Sequence, residues 1–323
     1  MQTNDSLYDL VIIGAAAVGC SASVYAARRN LNFVVITKNI GGEVALSGEV
    51  ENWPGQIHTT GVQLAEDFRK HAESYNTPIE NGLEVLSILP EKNYYILTAK
   101  DDNGVEKIYK TKTVIIGSGI HPREIGVPGE SELKGRGVTY CTVCDGPLYK
   151  KKITATIGAG NAALESALMM SGIATKVYLL TKYANTKENN GGFPKGENIL
   201  IEKIKNTPNV EIIYEADTKE ILGSDFVTGI RYTDIKTKEE KTLEVQGAMV
   251  HVGMIPNSQF ATNLNRNKVG EIEVDLNCRT SLPGIFAAGD VTNVPYKQIA
   301  IAAGMGVNAA LSAIDYINRW QEI

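Results

Sequence analysis

Apolar runs of strand length alternate with helical stretches at two places in the chain, and each place has a glycine-rich turn between strand and helix. Residues 8–13, YDLVII, form a short apolar run followed by Gly14 to Gly19 and then by the Ala-rich stretch SASVYAARRN. Residues 33–37, FVVIT, make the next apolar run. Strand, glycine turn, helix and strand in this order predict a nucleotide-binding βαβ unit.

The same order recurs in the second half of the chain. Residues 153–157, ITATI, lead into the turn GAGNAA, the helical stretch LESALMMSGI and a strand at 177–181. A buried strand, GIFAAGD at 284–290, then precedes a C-terminal helical stretch. The pattern predicts an α/β protein with two Rossmann-like, three-layer nucleotide-binding domains, the second inserted into the first.

Two joints place the insertion. Residues 117–129 are rich in Gly and Pro and indicate a linker, and residues 249–257 indicate a return strand and turn. We therefore expect the first domain to comprise 1–120 and 250–323 and the second to comprise 121–249. Residues 184–198, polar and rich in Gly and Asn, predict a mobile surface loop.

Length and charge restrict the class of protein. The 323 residues favour two domains, and a formal net charge of -5 gives no electrostatic reason to bind nucleic acid or an anionic membrane. The first residues, MQTNDSLYDL, show neither the basic region nor the apolar region of a signal peptide. No window contains the roughly 18 uninterrupted apolar residues of a spanning helix. We expect a cytoplasmic protein. Four cysteines are too few for a disulfide scaffold.

The first glycine turn has one departure from the dinucleotide pattern. Gly14 and Gly19 supply its first and third glycines, but Ala16 stands at the second. Without further evidence, a tight turn that binds no ligand remains an alternative. The pair Gly41-Gly42 leaves backbone room for a flat ligand. Asp290 fits either a hydrogen bond to a ribityl or ribose hydroxyl or a helix N-cap.

Cys141 and Cys144, three residues apart in YCTVCDG, fit a redox dithiol in which one thiolate attacks a substrate disulfide and the other resolves it. Asp145 fits a proton donor or, alternatively, a turn or N-cap residue. The pair could instead be part of a zinc site or a structural disulfide. The four histidines lack paired spacing, so we expect no metal. Cys20 and Cys278 fit inert packing residues.

The second glycine turn matches the dinucleotide pattern more closely, but the strand after it does not name the nucleotide. Thr181-Lys182-Tyr183 follows the strand where arginines would bind a 2′-phosphate. Lys187 and Lys195 lie in the polar loop and are as consistent with a solvated surface as with phosphate binding. NADPH and NADH both stay open.

Four motifs carry a resemblance that runs nearly end to end. They are ENWPG at 51–55, GVPGESELKGRGVTYCTVCDGPLY at 126–149, GAGNAALESA at 158–167 and PGIFAAGDVTNVPYKQIAIAAGMG at 283–306. In these motifs the chain resembles the low-molecular-weight thioredoxin reductases, class II of the FAD-dependent pyridine nucleotide-disulfide oxidoreductases.

The resemblance implies a homodimer that passes electrons from NAD(P)H to FAD, to the dithiol and then to thioredoxin. It assigns FAD to the split first domain and the pyridine nucleotide to the insert. It implies that Cys144 faces the flavin, that Cys141 attacks thioredoxin and that Asp145 donates the proton. Pro122 and Gly253 fall near the family's hinge between two domain orientations.

The resemblance and the two turns together give the candidate cofactor residues. Asn52 and Gln298 match positions near the flavin ring, and Gly289 and Asp290 match its ribityl contact. The full flavin set is Gly14, Ala16, Gly19, Gly41, Gly42, Glu43, Asn52, Gly289, Asp290, Lys297 and Gln298. The pyridine-nucleotide set is Gly158, Gly160, Asn161, Ala162 and Lys182.

Three departures from the family pattern affect the electron donor or the flavin site. Ala16 replaces a glycine, Glu43 replaces a Gln, and Thr181-Lys182-Tyr183 with its long loop replaces the family's His-Arg-Arg…Arg signature. The last departure opens ferredoxin as a second candidate donor. Two further functions also stay open: a flavin-bearing regulatory or binding protein with an incidental dithiol, and a peroxiredoxin-linked reductase.

Overall fold

The structure, a computed structural model, describes residues 2–47 and 49–321 and divides into two compact units. The first unit is Met1–His121 with Ile255–Ile323, and the second is Pro122–Met254. The boundaries between the two units, at 121/122 and 254/255, lie near the predicted domain boundaries at 120/121 and 249/250. The second joint differs because residues 248–250 form a strand in the sheet of the inserted unit rather than a strand of the first unit.

The elements of the first unit are, in chain order, β1 (Gln2–Ala15), α1 (Ala17–Arg28), β2 (Phe33–Ile40), α2 (Gly42–Ala45), β3 (Glu49–Val50), β4 (Thr59–Thr60), α3 (Gly61–Glu73), β5 (Ile79–Asn81), β6 (Leu83–Glu91), β7 (Tyr94–Asp101), β8 (Glu106–Ile116) and, after the insert, β19 (Ile285–Ala287) and α7 (Ile299–Ile317). A short 3₁₀ helix, Gly289–Val291, lies between the last two.

The sheet of the first unit has β1 at its centre. Its order is β5-β2-β1-β8-β7-β6, and β19 pairs with the end of β8. Strands β5, β2, β1, β8 and β19 are parallel, whereas β7 and β6 continue the sheet antiparallel. Residues 10–13 of β1 are buried on both faces, which explains their unbroken apolar sequence. Helices α1, α3 and α7 cover one face, and β6 and β7 contribute to the cluster on the other.

Helix α7 is, within the described residues, long and apolar enough by length and composition to cross a membrane. Asn308, Ser312 and Asp315 interrupt its apolar residues, so the helix is not the uninterrupted apolar run expected of a spanning segment. Its small residues pack closely against α1: a Cβ added to Gly306 would lie 2.5 Å from the carbonyl oxygen of Val18. The buried side of α7 is therefore part of the core of the first unit.

The elements from the insert are β9 (Ile120–Pro122), β10 (Val138–Thr139), α4 (Thr142–Asp145), β11 (Ile153–Ile157), α5 (Asn161–Ser171), β12 (Lys176–Leu180), α6 (Asn198–Lys205), β13 (Val210–Ile213), β14 (Ala216–Gly223), β15 (Val227–Asp234), β16 (Glu240–Glu244), β17 (Ala248–Val250) and β18 (Met254–Pro256). Short 3₁₀ helices span Gly146–Tyr149 and Asn190–Gly192.

The inserted unit also has three layers. Its central sheet is parallel, in the order β10-β17-β11-β12-β13, and β14, β15 and β16 form a separate antiparallel sheet. One core cluster lies between the two sheets, and another lies beneath α5 and α6. The predicted fold class, two Rossmann-like α/β units, is confirmed. Strands β9 and β18, where the chain passes between the units, pair with each other.

Candidate redox and nucleotide sites

The cysteine pair occupies the start of α4. Cys141 and Cys144 form a disulfide with an S–S distance of 2.02 Å and a Cα–Cα distance of 5.3 Å. Cys141 is the N-cap of this helix, and its Sγ accepts a hydrogen bond from the Cys144 N–H at 3.2 Å. Cys141 is half-buried and Cys144 is exposed. One helical turn thus brings the two sulfurs together, as the spacing predicts.

Asp145 is held beside the disulfide by a residue that sequence reasoning missed. The Thr139 hydroxyl donates to Asp145 Oδ2 at 2.5 Å and accepts from the Cys141 N–H at 3.1 Å. Asp145 precedes the 3₁₀ helix Gly146–Tyr149 but makes no side-chain cap bond there. Asp145 therefore occupies the N-cap position without capping the helix through its side chain. The signal for Thr139 was a hydroxyl residue two positions before the first cysteine.

A second missed group anchors the residue next to the first cysteine. Thr142 Oγ1 lies 2.8 Å from His251 Nε2 and 2.6 Å from Ser166 Oγ. Thr142 and Ser166 are buried, and burial lowers the pKa of His251 to about 4. The imidazole is therefore neutral at neutral pH and can share a hydrogen bond with the hydroxyl. This network fixes α4 to the core of the inserted unit.

The buried histidine predicts an acid-sensitive stability. The folded chain keeps His251 neutral down to about pH 4, whereas the unfolded chain protonates it near 6.5. Between these values the unfolded state binds more protons, so the free energy of unfolding falls as pH decreases, by up to about 3 kcal/mol. In urea unfolding from pH 7 to pH 4.5, His251→Gln is expected to flatten this dependence. Replacing the exposed His71 by Gln should leave the slope unchanged; equal slopes for all three proteins would contradict the assignment.

A cavity of about 660 Å³ opens in the first unit, within the range of roughly 300–1,000 Å³ typical of ligand sites. It lies along the turn after β1, the end of β2, the start of α2 and the residues after β19. The predicted flavin residues on its wall are Gly14, Ala16, Gly42, Glu43, Asp290 and Lys297.

The turn between β1 and α1 is built for close backbone approach. A Cβ on Gly19 would lie 1.7 Å from the carbonyl oxygen of Gly14, which itself has a φ of 100°. Ala16 caps α1 without a side-chain hydrogen bond, so the first amide groups of this helix remain available to an anion. The Ala16 methyl group lies near Gly42, because a Cβ added to Gly42 would be 3.6 Å from it.

Two carboxyl groups face the cavity. Burial raises the pKa of Asp290, which Lys297 partly opposes, and burial also raises the pKa of Glu43. Lys297 Nζ contacts Glu271 Oε1 at 2.8 Å and donates to the Thr292 carbonyl at 2.5 Å. Asp290 lies inside the 3₁₀ helix Gly289–Val291, whose N-cap is Ala288. The N-cap interpretation of Asp290 is therefore wrong.

The other predicted flavin residues lie off the cavity wall. Gly19, Gly41 and Gly289 shape turns, and the last has a φ of 72°. Asn52 Nδ2 donates to Gln298 Oε1 at 3.2 Å. Sequence reasoning missed Asn257, which lines the cavity and hydrogen-bonds to the backbone of the segment 118–119. Flavin contact by each of these residues stays a prediction.

In the second nucleotide turn, part of the chain covers the glycine. Gly158 has a φ of 154°, and a Cβ there would lie 2.2 Å from the His251 carbonyl oxygen. Gly160 forms an isolated backbone bridge with Lys195. The expectation of a mobile surface loop at 184–198 is wrong at its centre, because Phe193 is fully buried among core residues. Phe193 was the one apolar signal in that segment.

The remaining candidates for pyridine-nucleotide binding differ in their surroundings. Asn161, at the start of α5, is paired with Glu197. Ala162 and Lys182 are exposed, and Lys182 Nζ lies 5.5 Å from the centre of the Tyr183 ring. Among residues 2–47 and 49–321, no group of three or more His, Cys, Asp or Glu side chains is placed to hold a metal ion.

Residues 8–306 match the pyridine nucleotide-disulphide oxidoreductase family. Two curated relatives are an NADH dehydrogenase of Bacillus subtilis, 38% identical over 313 residues, and a component of the alkyl hydroperoxide reductase of Staphylococcus aureus, 38% identical over 317 residues. The matches cover 97% and 98% of this chain but only 59% and 60% of the relatives. The chain thus spans about three fifths of their length.

Solved structures of similar fold are matched over nearly their whole length. Thioredoxin reductase of Lactococcus lactis has a TM-score of 0.84 at 28% identity, covering 97% of this chain and 99% of that one. Thioredoxin reductase of T. acidophilum has a TM-score of 0.81 at 37% identity with the same coverage. A ferredoxin-flavin thioredoxin reductase of Clostridium acetobutylicum has a TM-score of 0.52 at 29% identity, covering 99% of each chain.

The two Rossmann-like units, the disulfide and these matches define a flavin-dependent oxidoreductase. The chain belongs to the pyridine nucleotide-disulphide oxidoreductase family, in the class of the low-molecular-weight thioredoxin reductases. This membership implies FAD and NAD(P)H as the cofactors. The cavity in the first unit fits FAD, because it joins an open helix N-terminus to a half-buried Asp290. The second turn, covered at Gly160, does not offer the same open approach to a nucleotide.

Proposed function

We propose that this chain is a thioredoxin-disulfide reductase in which Cys141 and Cys144 form the redox centre. The observation that carries the proposal is the Cys141–Cys144 disulfide with the Thr139–Asp145 hydrogen bond beside it. When bound in the cavity of the first unit, FAD supplies the electron pair that reduces this disulfide. Gly14, Ala16, Gly42, Asp290 and Lys297 are the residues we expect to hold it.

The reduced pair transfers its electrons by thiol–disulfide exchange. The Cys141 thiolate attacks one sulfur of the partner disulfide, which forms a mixed disulfide and releases the first partner thiolate. Cys144 then attacks Cys141 Sγ, which restores the internal disulfide and releases the second partner thiolate. The partner gains two electrons and two protons. The Cys144 N–H, already directed at Cys141 Sγ at 3.2 Å, favours the thiolate on Cys141.

Asp145 is the group we expect to move protons at the pair, because Thr139 holds its carboxyl against the start of α4. Asp145→Asn keeps the shape but cannot exchange a proton, so thioredoxin turnover should fall about 100-fold. Steady-state reduction of thioredoxin by the flavin-loaded enzyme measures this. The exposed Asp225 in the same unit, changed to Asn, is the matched control. Wild-type turnover in Asp145→Asn would remove Asp145 from the mechanism.

The electron donor has two candidates. NAD(P)H is the donor that the family implies. A reduced ferredoxin is supported by Thr181-Lys182-Tyr183, which stand in place of arginines directly after β12, and by the covered second turn. The solved relative from Clostridium acetobutylicum carries ferredoxin in its name. Anaerobic mixing with NADPH, NADH or reduced ferredoxin, followed by flavin absorbance, separates the donors: rapid bleaching at micromolar nucleotide favours NAD(P)H.

Thioredoxin is the protein partner that we propose. The chain is 38% identical to a relative named for alkyl hydroperoxide reductase, so a peroxiredoxin-type partner is the competing substrate. Chemically reduced enzyme should reduce a thioredoxin disulfide in a single turnover. A chain that reduces only a peroxiredoxin system, and no thioredoxin, would overturn the thioredoxin assignment. The homodimer stays a prediction, which sedimentation velocity can test.

A further inference from the structure

The cover segment, which we define as residues 184–197, contacts the second glycine turn through Lys195 and Glu197. In a dinucleotide-binding turn the second glycine has no side chain so that the pyrophosphate can approach the backbone. Here that position is Gly160, and its open side contacts the cover segment. A Cβ on Gly160 would lie 3.6 Å from Lys195 Cβ and 3.7 Å from the Lys195 carbonyl oxygen, and the two residues share a backbone bridge.

A carboxylate is fixed at the start of the same helix. Asn161 Nδ2 donates to Glu197 Oε1 at 2.8 Å, and the Glu197 N–H donates to Asn161 Oδ1 at 2.8 Å. Burial raises the pKa of Glu165, one turn along α5, and the charge of Glu197 raises it further. The negative charge of Glu197 therefore faces the helix N-terminus at which a phosphate would bind. The pyrophosphate of a nucleotide would meet like charge as well as occupied space.

The cover segment is anchored on both sides of the turn. Phe193 is fully buried beside α5 and α6, and a Cβ on Gly196 would lie 2.7 Å from Leu164 Cδ1. Thr181, directly after β12, donates from its hydroxyl to the Gly192 carbonyl at 2.7 Å and is 1% exposed. The cover segment is thus tied to the carboxyl end of β12, the edge at which open α/β sheets bind their ligands.

We infer that the cover segment is an intramolecular competitor for the pyridine nucleotide, so that NADH and NADPH bind the second unit only after it is displaced. The apparent dissociation constant is then the intrinsic one divided by the fraction of molecules with the segment displaced. Weak nucleotide binding in this chain follows from its own residues 193–197. The consequence for the electron donor rests on the proposed function, but the binding claim does not.

Equilibrium titration calorimetry of the flavin-loaded, full-length protein with NADH and with NADPH tests the inference. Phe193→Ala removes the anchor and is expected to tighten binding at least about tenfold. Glu197→Gln keeps an acceptor for Asn161 but removes the charge, and is expected to tighten binding roughly threefold or more. Glu202→Gln, an exposed change of the same charge on α6, should bind as the wild type does.

Hydrogen exchange of the amides at 184–197 gives the second readout, because nucleotide should reduce their protection. Micromolar nucleotide binding by the wild type would overturn the inference. So would equal nucleotide affinity in Glu197→Gln and Glu202→Gln together with unchanged amide protection at 184–197. Both results can be obtained even if Phe193→Ala does not fold. Thioredoxin reduction by the photoreduced wild type needs no nucleotide. Its failure would count against the proposed function and leave the binding result standing.

Discussion

The rate of thioredoxin reduction is expected to fall at least about a thousandfold in Cys141→Ser and in Cys144→Ser. A serine hydroxyl cannot form or resolve a mixed disulfide, so each change breaks one step of the exchange. The two variants should fail differently. Cys144→Ser retains the Cys141 thiol and is expected to accumulate a covalent complex with the partner, whereas Cys141→Ser is not. Non-reducing electrophoresis of the reaction distinguishes them.

The two cysteines outside the pair provide the matched control. Burial raises the pKa of Cys20 to about 12 and that of Cys278 to about 11, so both thiols are protonated and unreactive at neutral pH. Cys278→Ser should retain the wild-type rate per folded molecule. Full thioredoxin reduction by Cys144→Ser would contradict the assignment of the pair. The same holds if Cys141→Ser forms the covalent complex with the partner as readily as Cys144→Ser does.

The second large effect is expected at the first glycine turn. Gly19→Ala places a methyl group 1.7 Å from the Gly14 carbonyl oxygen and 2.8 Å from its carbon, so the backbone between β1 and α1 must open. We expect the FAD affinity to fall at least about 100-fold, about 2.7 kcal/mol, and the protein to be isolated largely without flavin. Flavin absorbance per chain, before and after added FAD, measures the loss.

Gly304→Ala is the control for this change. Gly304 lies inside α7 with no atom within 4 Å of an added Cβ, so alanine should stabilise the helix by about 0.5–1 kcal/mol and leave flavin content unchanged. Full flavin content in Gly19→Ala would show that the turn tolerates a side chain. It would then contradict the placement of a phosphate against this turn.

The features that could be predicted from the sequence depend on local chemistry. The strand, glycine turn and helix at Gly14 and Gly158 are encoded within about ten residues, and Cys141 and Cys144 meet because one helical turn separates them. Asp290 could be placed at the end of a buried strand, but the charge of Lys297 beside it could not be predicted. The ion pair of Lys297 with Glu271 could not be predicted either, because Glu271 comes from a separate segment of the chain.

The features that escaped prediction depend on long-range contacts. Thr142 and His251 are 109 residues apart in sequence, and neither has a motif that names the other. The cover segment has the composition of a solvated loop, so a single apolar residue, Phe193, decides its position only once α5 and α6 enclose it. The spacing of Lys195 and Glu197 from Gly160 gave no signal that they return to that turn.

The central claim is that flavin and the Cys141–Cys144 pair form one redox system in this chain. Anaerobic titration of the FAD-loaded protein with dithionite, followed by flavin absorbance and by counting free thiols, tests it most directly. We predict an uptake of about four electrons per chain in the wild type, with two new thiols, and of about two electrons in Cys144→Ser. A wild-type chain that takes up about two electrons and gains no thiols would contradict the account.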